Sequence, residues 1–169
     1  AGDLFAYQYF KYYGINIIRA RAVHHTGPRQ RTGFVIPDLA SQIAKIEKSH
    51  LPPILKVGNL SSKRDLSDVR DVVKAYLALM AKGKAGEAYN TCSQKAYSIE
   101  HMLNILCSLS KKKIGIQIDE KRNRQAEIPI LSGNNSKIRK ATGWKPKIPI
   151  EKTLKDTLDY WREKVDDDE

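Results

Sequence analysis

Cysteine is nearly absent: Cys92 and Cys107 are the only two in 169 residues, too few for the disulfide framework of a small secreted domain. Each sits in an apolar periodic stretch, which predicts reduced core thiols and a cytoplasmic protein. Long apolar runs are missing as well. The longest, residues 75–81, falls far short of the roughly 20 residues that a membrane-crossing helix needs. No charged, apolar and small-residue succession typical of a signal peptide opens the chain. An initiating methionine is also missing, Met80 and Met102 being the only two, so the chain reads as a piece of something larger or a trimmed form. Acidic residues number 19 against 30 basic ones, a net charge of +11. Residues 166–169 are all acidic, so taking away their four negative charges leaves the remainder at +15. An excess of this size points to an anionic ligand, but does not separate nucleic acid from a small phosphorylated molecule.

Apolar residues at 41% and charged residues at 29% describe a globular domain able to bury a sizeable core. Six of the thirteen aromatics fall in the first thirteen positions. Phe5, Tyr9 and Tyr12 or Tyr13 recur at helical spacing, with Gly14 placed to stop the helix. The remaining aromatics lie around its other side, so this helix is expected to pack on more than one face. Residues 15–21 are rich in β-branched side chains and read as a strand, and residues 24–30 as a loop. Pro37 opens a helix running to Lys48, and Pro52-Pro53 precedes a short strand at 54–57. Val69, Val72, Val73, Tyr76, Leu77 and Met80 hold one helical stripe, with Ser67 as N-cap and Gly83 as stop. A strand at 89–92, a helix capped by Ser98, a strand at 114–118 and a helix from Ile150 to Val165 complete the pattern. Strands alternating with helices indicate an α/β protein with a largely parallel sheet.

Chemistry-bearing patterns are sparse. Gly83-Lys84-Ala85-Gly86 runs from helix to strand, the reverse of a dinucleotide-binding turn, and reads as a helix stop and turn. His24 and His25 point to opposite sides of an extended segment and have no partner at metal-ligand spacing. They suit either a surface loop or a ligand loop beyond the carboxyl end of a strand. Ser61-Ser62-Lys63-Arg64-Asp65 reads as a basic turn approaching a helix N-terminus, either a phosphate site or a solvated charged turn. Arg124 and Glu127 are either a surface pair or a cation for phosphate beside a carboxylate for sugar hydroxyls.

Seven motifs in order make the chain recognisable. They are Gly2-Asp3-Leu4; Tyr13-Gly14-x-Asn16-Ile17-x-Arg19; His25-Thr26-Gly27-Pro28-Arg29-Gln30; Gly33-Phe34-Val35; Val57-Gly58-Asn59-Leu60; Arg64-Asp65-Leu66-Ser67-Asp68-Val69-Arg70-Asp71; and Thr142-Gly143-Trp144-Lys145-Pro146. Together they resemble the carboxyl-terminal half of extended short-chain dehydrogenases/reductases acting on GDP-sugars, the branch of GDP-4-keto-6-deoxymannose reductases and GDP-mannose 4,6-dehydratases. The resemblance covers essentially the whole chain. It implies the last elements of a Rossmann sheet plus a small substrate-binding domain, 1–169 forming one truncated unit without its amino-terminal cofactor-binding half. The Gly-rich loop and the catalytic Tyr-x-x-x-Lys belong to that half, which the gene is expected to encode just upstream. Tyr7/Lys11 and Tyr160/Lys164 match that spacing by chance and away from the family position.

Carried over by position, Ala22-Val23-His24-His25 resembles the family's Pro-Phe-Asn-His. This implies nicotinamide contacts for Ala22, Val23 and His25, and a sugar contact for His24. Val35 corresponds to a neighbour of the base, and Arg64 to a diphosphate or ribose contact. Arg124 and Glu127 match an Arg-Pro-x-Asp/Glu pattern in which Gln125 replaces the Pro. The helix around 3–13 resembles one that pairs in a homodimeric four-helix bundle. The implied cofactor of the complete enzyme is NADP or NAD, with none expected on this chain alone, and no turnover is expected from it. A basic module binding nucleic acid and a non-catalytic assembly fragment are the competing readings. Against the first, the aromatics are gathered in one helix instead of alternating with Lys and Arg along a groove.

Overall fold

Apolar residues spaced three and four apart set the long helices, and the computed structural model describes residues 1–120 and 128–167. In chain order the first half runs α1 (Gly2–Tyr13), β1 (Arg19–Ala22), β2 (His24–Thr26), α2 (Val35–Glu47), β3 (Ile54–Val57), β4 (Lys63–Asp68) and α3 (Val69–Lys82). The second half runs β5 (Ala88–Thr91), β6 (Ala96–Ser98), α4 (Ile99–Ser108), β7 (Gly115–Ile118), β8 (Ile130–Leu131), α5 (Ser136–Thr142) and α6 (Ile150–Asp167).

Ile36, Leu39, Ala40, Ile43, Ala44 and Ile46 form the buried face of α2, and Pro37 lies in its first turn as expected. Ser98 caps α4 by accepting from the His101 amide at 3.1 Å. The cap of α3 is Asp68 rather than Ser67; its carboxylate accepts from the Arg70 amide at 2.8 Å. A carboxylate has two oxygens to share between that amide and the Arg70 guanidinium, which a hydroxyl lacks.

Four strand pairings are parallel: β1 with β5, β2 with β4, β3 with β7, and β8 with β4. β6 is antiparallel to β4. These pairings make three small sheets, with β4 at the centre of the largest. The strand expected over 15–21 begins only at Arg19. Its partner β5 starts at Ala88, because the chain before it turns at Gly86 (φ 78°). A Cβ on Gly86 would lie 2.2 Å from the Phe10 ring, so the turn can press against α1 only as glycine.

The larger core joins α2, α4 and α6 over β3 and β4 through Ile43, Leu55, Leu66, Met102, Leu103, Leu106, Leu154 and Leu158. A smaller one joins α3, β5 and α5 through Ala75, Leu79, Tyr89, Ile138 and Trp144. α1 ends on Gly14 in the left-handed conformation and has no buried residue; Leu4 and Tyr12 are 72% and 77% exposed. Its multi-sided aromatic surface therefore finds little cover within the chain. Asp3 holds it to β1 through Arg19 and Arg21.

A clamp fastens α6 to α2. Arg162 donates from Nε and Nη2 to the two Glu47 oxygens, both at 2.8 Å, and also to Leu109 O. Burial pushes the Glu47 carboxyl up, but Arg162 and the Lys111 amide together hold it below its ordinary value. Its stabilisation is thus complete above the unfolded carboxylate range and drains as pH falls through the folded value. Acid should lower the urea midpoint between pH 6 and 3, in about the range where carboxylates titrate, and Glu47→Gln should flatten that fall. An acid limb of unchanged steepness in the variant would exclude Glu47 as a contributor.

Candidate functional site

β2 and β4 lie side by side in parallel, His24 opposite Leu66 and Thr26 opposite Asp68. The amino end of α2 and the turn after β3 rise beside them. Between these elements opens a cleft of about 370 Å³, and His24, His25, Val35 and Arg64 all line it. Four sequence-designated residues from three separate segments thus share one hollow.

Two of the local expectations need correction. His24 and His25 stand on strand β2, not in a loop, and Arg64 stands on strand β4, not in a basic turn. The cause is β4 itself: Lys63–Asp68 pairs with β2, β6 and β8, and backbone pairing there overrides a sequence with one large apolar residue. Arg64 is anchored by hydrogen bonds from Nη1 to Lys63 O at 2.9 Å and Ile128 O at 2.8 Å. Val35 is the first residue of α2.

Ala22 ends β1, and the Val23 amide donates to Thr91 O at 3.1 Å; neither lines the cleft. Val23 instead packs with Cys92 Sγ over Gly133. Arg124 and Glu127 lie outside the described residues. Phe34, Asp38, Lys56 and Asn59 also line the cleft and were not singled out for a role by sequence. Val57-Gly58-Asn59-Leu60 did stand out as a motif. Its purpose becomes visible in the turn, where Asn59 Oδ1 accepts from the Ser61 amide and hydroxyl at 2.9 and 2.8 Å.

Behind the cleft sits Asp65, fully buried. Its Oδ1 accepts from the Ser93 amide and hydroxyl at 2.8 and 2.5 Å. Its Oδ2 accepts from the Gln94 amide, the Gly133 amide and the Ser132 hydroxyl at 2.9, 3.2 and 3.4 Å. Burial, and then the Asp65 charge, push the neighbouring Cys92 thiol up to about 11, which leaves it protonated and unreactive at neutral pH. His24 is held below its ordinary value, first by burial and then by the Arg64 charge, against an opposing pull from Asp65.

Among the described residues no group of three or more His, Cys, Asp or Glu side chains is placed to hold a metal. No helix among them is long and apolar enough to cross a membrane. The described strand-to-helix turns lack a Gly-rich cradle, and the Gly83–86 segment leads from α3 into β5.

Parallel strand pairs flanked by helices, with a cleft of mixed polar and apolar lining beside β2 and β4, define an α/β fold. The chain belongs to the GDP-mannose 4,6 dehydratase family, whose sequence model matches residues 1–157. It is 36% identical to the GDP-6-deoxy-D-mannose reductase of Pseudomonas aeruginosa over 90% of this chain and 50% of that protein. It is 28% identical to GDP-mannose 4,6 dehydratase 2 of Arabidopsis thaliana over 94% of this chain and 43% of that one. The solved structure of RMD from Pseudomonas aeruginosa, complexed with NADPH, superposes with a TM-score of 0.92 at 34% identity, covering 98% of this chain and 55% of the other. The chain spans about half the length of these relatives.

Proposed function

We propose that this chain is the substrate-binding portion of a nucleotide-sugar short-chain dehydrogenase, with a GDP-sugar as the ligand of the cleft. The observation that carries the reading is the meeting of His24, His25, Val35 and Arg64 in one hollow. Arg64 supplies a planar cation for a phosphate, His24 meets the sugar, and Val35 lies towards the base. Arg124 and Glu127 join them by sequence resemblance as a second phosphate cation and a carboxylate for hydroxyls. Ala22, Val23 and His25 border the nicotinamide of NADP or NAD in a complete enzyme. The residues of this chain alone bind and orient; the cofactor's loop and the proton-transferring tyrosine are supplied by a segment outside it, so no turnover is expected here. The aromatic surface of α1 serves a homodimer.

Calorimetry with GDP tests this. Arg64→Ala should weaken binding by about 1.5–3 kcal/mol, the scale of a charged hydrogen bond. Arg64→Lys should recover only part of it, because an ammonium cannot reproduce the guanidinium fork. Substitution of the exposed Lys140 on α5 should leave affinity unchanged. Equal affinity of wild type and Arg64→Ala removes Arg64 from the site. Steeply salt-dependent DNA binding without GDP binding would replace this reading with the nucleic-acid one.

A further inference from the structure

β7 lies beside β3, its one neighbour among the described residues. The Gly115 and Asp119 amides donate to Pro53 O and Val57 O, at 2.9 and 2.8 Å. Successive N–H and C=O pairs along a strand face alternate edges, so Ile116 and Ile118 turn theirs away from β3. Such an edge is a template for another strand, and proteins commonly blunt it with charge or proline. β7, Gly-Ile-Gln-Ile, has neither. In the β3–β7 register Ile116 stands level with Leu55 and Ile118 with Val57, on the same face of the sheet. Leu55 and Val57 are buried, whereas Ile116 and Ile118 are 49% and 65% exposed. The apolar face of the core thus runs past its cover and stops at an open edge.

The sequence around this edge complements itself. Lys111-Lys112-Lys113 precede Ile114, and Asp119-Glu120 follow Ile118. Two copies can be set antiparallel about a twofold axis at Ile116. Ile116 then faces its twin, Ile114 faces Ile118 of the second copy, and Lys113 faces Asp119. The backbone groups turned away from β3 belong to this isoleucine series, so they exchange reciprocal hydrogen bonds in this register. Sliding the strands by one repeat sets Ile118 against Lys112 in one direction and Ile114 against Glu120 in the other. A parallel arrangement in register would set Lys113 against Lys113 and Asp119 against Asp119, like charges directly opposed. Lys112 is already held by Ile46 O and Ser49 Oγ, which leaves the charged rung to Lys113.

We propose that β7 is a docking edge for a second copy of this chain, paired antiparallel about Ile116 so that two β3–β7 sheets become one. The surface is separate from the aromatic face of α1 and does not depend on the identity of the cleft's ligand. An edge this short buries less than the roughly 1,200 Å² of a stable complex, so the association is weak and concentration-dependent.

Sedimentation of the 169-residue chain from about 10 μM to about 1 mM, the range of weak contacts, should show its mass rising. Ile116→Lys should weaken this association about tenfold or more, because like charges then meet at the axis. The site is half exposed, so the fold is retained, as an unchanged urea midpoint would show. Lys113→Glu opposes two acids at both ends and should also weaken it about tenfold, with Lys113→Glu plus Asp119→Lys returning within about threefold of wild type. Amide exchange separates this edge from α1. Ile116 and Ile118 should slow by about threefold or more at the high concentration, while Gln117, turned towards β3, stays as it was. A mass independent of concentration, an Ile116→Lys chain that associates like wild type, or exchange at Ile116 and Ile118 indifferent to concentration overturns the proposal. Weakening by Ile116→Lys without recovery in the doubly swapped chain overturns the antiparallel register.

Discussion

Replacing Asp65 with Ala should lower stability by about 3–5 kcal/mol, the penalty for removing one side of a buried, multiply bonded charge. Three backbone amides, those of Ser93, Gln94 and Gly133, would lose their acceptor at once, while the Ser93 hydroxyl can turn to Lys95 O at 3.1 Å. None of these donors belongs to a helix or strand ladder that could take it back. Asp65→Asn is the more informative variant because it keeps the shape. Each oxygen faces at least two donors, Ser93 N and Oγ on one side and Gln94 N, Gly133 N and Ser132 Oγ on the other. Whichever way the amide is turned, its NH2 meets donors, so a loss of about 2 kcal/mol is expected even there. Urea unfolding with an unchanged m-value measures both. An Asn variant as stable as wild type would mean that the donors need no charged acceptor.

Leu158→Ala should cost a comparable about 3–5 kcal/mol, the upper part of the range for a leucine deleted from a core. Leu158 is fully buried among the side chains of α2, α4 and α6. Collapse around the missing atoms is resisted because α6 is tied on both sides of Leu158, with Asp156 also paired to Arg70 at 2.8 Å. Thr153 donates to Asp68 Oδ2 at 2.8 Å, and Arg162 grips Glu47 four residues beyond Leu158. A helix held on both sides cannot slide inward, so most of the cavity persists. Leu77→Ala is the control: at 61% exposed on α3 it should change stability by less than about 0.5 kcal/mol. If the two substitutions cost the same, α6 is not packed as described.

The long helices were readable because burial on one face writes a period of 3.6 into the sequence. Val35–Glu47, Ile99–Ser108 and Ile150–Asp167 carry that period, and the short strand Ile54–Val57 was bounded by its prolines. β4 was not readable. Lys-Arg-Asp-Leu-Ser-Asp has no apolar alternation, and its buried Asp65, Ser67 and Asp68 look like a turn until distant donors are in place. α5 has only seven residues, too few to establish a period, and β6 and β8 have three and two. The strand at 114–118 was legible by alternation, yet every residue of β7 is exposed, so its pattern does not report burial. That Arg64, His24, His25 and Val35 share one cleft was legible only through the succession of motifs, since each alone suits a surface role. Lys56 and Asp38 gave no signal because their place in the cleft depends on how β3 and α2 are set against β2.

β4 also makes the sign of the cleft a matter of counting. Arg64 and Asp65 are consecutive on an extended strand, so their side chains take opposite faces, the guanidinium towards the cleft and the carboxylate into the knot behind it. A slip of one position along β2, β6 and β8 would exchange them. The hollow would then present an acid where it now presents a base, and the buried knot would hold a cation facing amide hydrogens. Because the same six residues set both, no register of this strand can preserve the fold while reversing the charge offered to a ligand. An inserted or deleted residue in the turn before Lys63 is therefore expected to unfold the protein sooner than to convert it into a binder of cations.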